Sequence, residues 1–337
     1  MMREFIQSLP KAELLVHLEG TLEPEMLLNL AKRNKIKLPF TTPEEIQKAY
    51  QFQNLKMFLE VYYAGIKVLM TENDFYDLTM AYLEKAAAQN VRHAEISFDP
   101  QAHLERGITF DTVIRGIYRA QQDAEKKFSI SVHIIMCFMR ELTTESAEAV
   151  LLKAVEYKDW IVAVGLDSSE MHNPPEKFTE LFARAREYGF LTVASAGEAG
   201  PPEYIWQAID KLKVSRVGYG IRCVEDYDLM SRMAMSKIPI SVCPISNIKL
   251  GVIKMMRQHP LRKMFDEDLC VTINSDNPGY FRAYINENYS AVQEALHFDK
   301  NEIYEMAKNS FLASFLDYSK QEEYLKELEQ FLKKSLS

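Results

Sequence analysis

Eight short runs rich in apolar and β-branched residues recur along this chain, each followed by a longer stretch with helical periodicity. The runs fall at 12–18, 91–98, 131–138, 161–167, 191–196, 214–219, 238–243 and 269–275, and helical patterns fill the gaps, as at 175–188, 204–212 and 226–236. When strand and helix alternate, successive strands run parallel, because each crossover carries the chain back to the edge where the last strand began. Parallel sheets need cover on both faces, and eight strand–helix units close most simply on themselves. The reading is an α/β chain in which residues 1–337 form a single (β/α)8 TIM barrel domain, although 337 residues alone would permit two domains. The first crossover is longer than the others. Its segment 21–63 has room for several helices and is expected to add a helical flap beside the barrel mouth. The tail, 300–336, reads as helical with a polar face and is expected to pack on the outside.

Bulk properties narrow the partners. A hydrophobic content of 47% supports a large core, and no Ser/Gly linker or low-complexity segment divides the chain. The net charge of −8 argues against a nucleic-acid partner, since an acidic surface repels phosphates. Four cysteines, Cys137, Cys223, Cys243 and Cys270, are widely spaced and read as free, buried thiols. The opening MMREFIQSLPKAE lacks the apolar core of a signal peptide, and no apolar stretch reaches the ~18 residues of a membrane span. A cytoplasmic protein without a membrane partner is the expectation.

In barrels of this kind chemistry gathers where strands end. Six of the eight expected strands end in polar residues: His17-Leu18-Glu19-Gly20, Asp167-Ser168-Ser169-Glu170, Ser195-Ala196-Gly197-Glu198, Tyr219-Gly220, Cys243 through Asn247, and Asn274 through Asn277. Ser, Asp and Asn also serve as ordinary helix caps, but caps do not call for His17 and Glu198 as well. The register predicts one polar pocket for a small molecule.

The same segments carry a resemblance. PKAELLVHLEGTLEPE is similar to the opening motif of the adenosine/adenine deaminases, in which two histidines flank one residue. VASAGE looks like that family's strand-5 motif, normally histidine followed by Ala-Gly-Glu, and RVGYGIR like its strand-6 motif, normally with histidine before the second glycine. CPISNIKLG matches the strand-7 motif, and NSDNPGYF resembles a motif that normally reads Ser-Asp-Asp-Pro. The match runs from Leu9 to about Tyr289, and GLDSSE followed by NPPEKF is closer to the adenine-specific branch. The resemblance implies a barrel hydrolase in which three histidines and an aspartate hold zinc. The zinc turns water into a nucleophile near neutral pH, a histidine orients that nucleophile, and a glutamate serves the purine ring nitrogen.

Carried over residue by residue, those roles fall on an altered set. The first metal histidine is replaced by Leu15, the second is His17, the third is replaced by Ser195, and the aspartate ligand is Asp276. Glu198 keeps the ring-nitrogen role, Tyr219 stands in place of the histidine that handles the hydroxide, and Asn277 replaces the aspartate that faces the purine. His17 and Asp276 are only residual ligands, short of the three that a catalytic zinc usually takes, so the family's zinc cofactor is expected to be weak or absent. Tyr219 and Glu198 are the expected catalytic pair, although a phenol with a pKa of ~10 donates more readily than it accepts. Leu15, Glu170, Ser195, Asn277, Ser97 and His172 are assigned to the substrate pocket; the branch usually has an aromatic residue at position 97 and a small one at 172. The remaining histidines, His93, His103, His133, His259 and His297, read as structural.

Change concentrated in one pocket, on an otherwise intact chain, reads as redesign or repurposing, with loss of most purine deaminase activity. A residual zinc-dependent adenine deaminase and a non-catalytic protein that binds a purine-sized ligand are the alternatives. The residues specify no new reaction.

Overall fold

The computed structural model describes every residue except Met1, Gln53 and Ser337. Its strands are β1 (Lys11–His17), β2 (Val91–Phe98), β3 (Ser131–Met139), β4 (Ile161–Asp167), β5 (Leu191–Ala196), β6 (Arg216–Tyr219), β7 (Ile240–Val242) and β8 (Val271–Ile273). They pair in chain order and in parallel. A parallel bridge between Val16 and Asp276 joins the end of β8 to β1: the His17 N–H donates to the Asp276 carbonyl at 2.9 Å, and the Asp276 N–H to the Leu15 carbonyl at 3.1 Å. This closes the expected (β/α)8 barrel and brings Asp276 beside β1.

β2, β4 and β5 have the bounds expected from sequence, whereas β6, β7 and β8 are shorter. Val214, Ile238 and Leu269 precede their strands but pack against the core from the connecting loops. Burial gives a loop residue the same apolar signature as a strand residue, which extended the expected runs.

Between β1 and β2 lie the helices Pro24–Arg33, Pro43–Ala49, Leu55–Gly65 and Glu72–Ala88. Asn54 caps the third, accepting from the Met57 N–H at 3.0 Å. Phe58 and Tyr62 of that helix pack on Tyr280 and Phe281, which follow β8. This aromatic cluster fastens the expected flap to the mouth.

The tail forms helices Lys300–Leu312 and Tyr318–Leu336, and it does more than cover the outside. Ser310 accepts the Ala12 N–H at 2.9 Å. The turn between the helices seals the N-terminal end of the barrel. There the Ala313 carbonyl accepts from Arg216 at 2.8 Å, the Phe315 N–H donates to Glu95 at 2.6 Å, and the Phe315 ring lies 4.6 Å from the Arg216 guanidinium. Sequence patterning cannot foresee this plug, because it answers charges that β2 and β6 bury at that end. All four cysteines are free, and no described helix is long and apolar enough to cross a membrane.

Candidate functional site

The C-terminal strand ends surround a cavity of about 560 Å³, counting the space open to solvent at its mouth. His17, Asp167, Glu170, Glu198, Tyr219, Asp276 and Asn277 line it from the barrel, and Leu55, Phe58, Leu59, Tyr62 and Tyr63 line it from the flap helix. The flap is pinned to the barrel wall by Tyr63, whose hydroxyl lies 3.2 Å from Ser168 Oγ.

One corner belongs to Asp276. Its Oδ1 accepts from the Tyr219 hydroxyl at 3.0 Å and from Asn277 Nδ2 at 2.7 Å, and its Oδ2 accepts from Ser246 Oγ at 2.5 Å. His17 Nε2 lies 3.6 Å from Oδ1. Leu15, Tyr219 and Cys243 pack together as a separate apolar patch beside this carboxylate. Burial pushes the Tyr219 phenol well above its ordinary 10.0, with Asp276 and Glu198 adding to the shift, so Tyr219 is a donor here. Ser168, Tyr219 and Asp276, at the ends of β4, β6 and β8, all have left-handed backbones, with φ of 68°, 61° and 66°. That conformation is uncommon outside glycine and clusters at functional sites.

Glu198 lines the same cavity. Its Oε1 accepts from Asn247 Nδ2 at 2.6 Å. Asn247 Oδ1 lies 3.0 Å from His259 Nε2, and His259 Nδ1 accepts the Leu261 N–H at 3.1 Å. The backbone contact fixes the tautomer: the proton is on Nε2, which donates to Asn247. Burial pushes the Glu198 carboxyl well above its ordinary 4.5, and the like charges of Asp276 and Glu170 add to this. Glu170 uses its acceptors on the backbone: it accepts the N–H groups of Gly197, Glu198 and Gly200 at 3.0, 3.1 and 2.7 Å. It holds the loop that carries Glu198.

A second cavity, about 350 Å³, lies below the first and shares His17 and Asp167 with it. Leu15, Ser97, Ser195 and Gly218 line this lower space. A Cβ on Gly218 would stand 3.0 Å from Leu15 and 3.2 Å from Ser195, so these three positions form one contact set. Of the residues onto which the family's roles fall, Glu198, Tyr219, Asp276 and Asn277 line the upper space, Leu15 and Ser195 the lower, and His17 both. His172 belongs to neither lining: it sits exposed on the turn after β4, with a φ of 65°. The left-handed turn leaves its side chain exposed.

A protein-family model described as "Adenosine deaminase" matches residues 10–331. This chain belongs to the adenosine deaminase family. The chain is 51% identical over 330 residues to the adenine deaminase of Chlorobium phaeobacteroides (strain BS1), covering 98% of each chain. It is 50% identical over 327 residues to the adenine deaminase of Acinetobacter baylyi, covering 97% of this chain and 98% of that one. Among solved structures, the adenine deaminase of Arthrobacter aurescens superposes with a TM-score of 0.95 at 42% identity, covering 96% of this chain and 99% of that one.

Within this adenosine deaminase barrel, sequence reasoning missed Asp99 and His259 as site residues, and it placed Ser246 and Asn247 at the pocket without a role. Asn247 and Ser246 stood inside the quoted CPISNIKLG motif, and Asp167 inside GLDSSE, so a signal was present but had no partner to interpret it. His259 follows Asn247 by 12 residues, a separation with no periodic meaning.

Proposed function

We propose that this member of the family binds a purine-sized ligand and lacks the family's zinc hydrolysis. One observation carries the reading: the Asp276 carboxylate is already satisfied by Tyr219, Asn277 and Ser246. An ion at that corner would have to displace these donors, and would find His17 as its one other retained ligand. Leu15 has no lone pair, and neutral Ser195 lines the lower cavity. The residues present do not fit a zinc bound by three histidines and an aspartate. The lower cavity itself supports the reading, since its lining includes the small residues Ser97, Ser195 and Gly218 where bulkier groups would fill the space.

The ligand class rests on Glu198 and on the relatives. Burial favours the protonated form of the Glu198 carboxyl; a protonated carboxyl donates a hydrogen bond, and a purine ring nitrogen accepts one. Asn247 orients that carboxyl through Oε1 and leaves the other oxygen for the ligand.

The test pairs calorimetric adenine binding with ammonia release in zinc-supplemented buffer. Binding without ammonia above a protein-free control is expected. Adenine turnover at an enzyme-like rate by the unmodified chain would overturn the reading. Restoration should be ordered. Leu15→His with Ser195→His brings back tight zinc, because ligand count sets affinity. Tyr219→His then adds rate, by about 10²–10⁴-fold. Asn277→Asp finally improves purine positioning.

A further inference from the structure

On the side of His17 away from Asp276, Asp99 follows β2 and Asp167 ends β4. Ligand atoms of His17, Asp99 and Asp167 all lie within 4.8 Å of one another. Asp99 is 4% exposed and Asp167 3%. Asp99 Oδ1 and both Asp167 oxygens are buried with no well-formed hydrogen bond; they face each other, and the Cys137 thiol lies beside Asp167. Buried, unpaired carboxylates are costly, and two facing each other more so. A near neighbour is the His17 imidazole, whose Nδ1 lies 3.5 Å from Asp167 Oδ2. Arg140, which follows β3, directs Nε to the Asn173 carbonyl at 2.9 Å and Nη1 to the Ser195 carbonyl at 2.7 Å, and forms no ion pair with either aspartate.

Two arrangements relieve such a pair: a shared proton, or a cation between the carboxylates. We propose that His17, Asp99 and Asp167 form a divalent-metal site, displaced across His17 from the corner that the family resemblance assigns to zinc. One imidazole nitrogen with carboxylate oxygens suits manganese, iron(II) or zinc. All three side chains line the main cavity, so an ion has a path of entry and open positions toward a bound molecule. A second histidine–carboxylate cluster among the described residues, His93, Glu95 and His133, shows what an already satisfied set looks like. There Glu95 is ion-paired with Arg216, accepts the Phe315 N–H at 2.6 Å, and lies 3.3 Å from His93 Nε2. The guanidinium stands where an ion would go. Nothing comparable serves Asp167. The inference does not depend on what the pocket binds.

Manganese binding to the metal-stripped full chain, followed by the EPR signal of the free ion, tests this. Zinc is measured in parallel by equilibrium dialysis. One ion per chain is expected. Asp99→Asn and Asp167→Asn should each weaken it more than about tenfold and more than Asp276→Asn, which reaches the ion only through His17, while Glu198→Gln should leave it within about threefold. The asparagine variants remove charge repulsion without changing shape, so thermal melts should show them folded; if one does not fold, Asp99→Glu or Asp167→Glu, which moves the ligand atom by one methylene, takes its place. No saturable binding of either metal would overturn the proposal in favour of a shared proton. Binding that survives Asp99→Asn and Asp167→Asn but is lost in Asp276→Asn would overturn it in favour of the other corner.

Discussion

Asn247 governs what Glu198 can offer a ligand. An asparagine side chain can present either its oxygen or its amide, and here His259 makes the choice by donating to Oδ1. Burial lowers the His259 pKa to about 4, so the ring stays neutral at working pH and its single proton remains on the nitrogen facing Asn247. His259→Leu strands a buried carbonyl oxygen, which should cost about 1–3 kcal/mol in urea unfolding. It also frees the amide to turn its oxygen toward Glu198, and adenine affinity should fall about tenfold, one lost hydrogen bond to a buried group. His259→Gln keeps a donor and should recover most of the affinity. If His259→Leu loses stability but binds adenine as tightly as the parent, the chain of contacts supports the fold and not the ligand. This relay was invisible in the sequence, where His259 lies outside every motif and on no regular face.

Among the elements, the short turn Glu19–Thr21 after β1 controls the fit between the first and last strands. Gly20 sits there against Asn277, and a Cβ on Gly20 would fall inside the Asn277 side chain. Asn277 in turn donates to Asp276 at 2.7 Å. Gly20→Ala should therefore displace Asn277, loosen Asp276 and weaken adenine binding by roughly tenfold, with a destabilisation of about 1–3 kcal/mol, the usual cost of overpacking. Calorimetry and thermal melts read the two effects separately. Gly20→Ala combined with Asn277→Ala, which removes the clashing amide, should regain stability but not affinity; failure to regain stability would place the strain elsewhere. The HLEG run was legible as a motif. The reason for its glycine was not, because that reason lies on a loop 257 positions later, at Asn277.

At the scale of the molecule, the barrel divides its charges between its ends. The mouth gathers acids with few cations, whereas the sealed base pairs Glu95 with Arg216 under the tail. Arg216, with His93 and the Phe315 N–H, holds Glu95 down to about 2 despite burial. A depressed carboxyl contributes stability that is complete above its unfolded pKa and lost as pH falls through the folded one. For Glu95 that window runs from its ordinary 4.5 down to about 2. Melting temperatures of the parent and of Glu95→Gln should thus differ most near neutral pH and converge as the acid is approached. Arg216→Met should be worse than Glu95→Gln at pH 7, by about 3–5 kcal/mol relative to the parent, because it leaves a buried carboxylate uncompensated. A gap between parent and Glu95→Gln that stays constant from pH 7 to pH 3 would show that the pair does not set acid stability.

The sequence by itself determined the parallel eight-stranded barrel, the flap in the first crossover and the strand ends that build the pocket. These follow from local periodicity and from motif order, which are properties of neighbouring residues. Tertiary structure alone decided that Leu15 and Ser195 face a lower cavity while Glu198 and Tyr219 face the upper one, that Glu170 holds a loop, and that His172 stays exposed outside both linings. It also decided that Asp99 and Asp167 meet beside His17. Each of these depends on the twist and closure of the barrel, which bring together side chains from distant strands. That alignment is set by the packing of all eight strands at once, and no stretch of sequence encodes it locally.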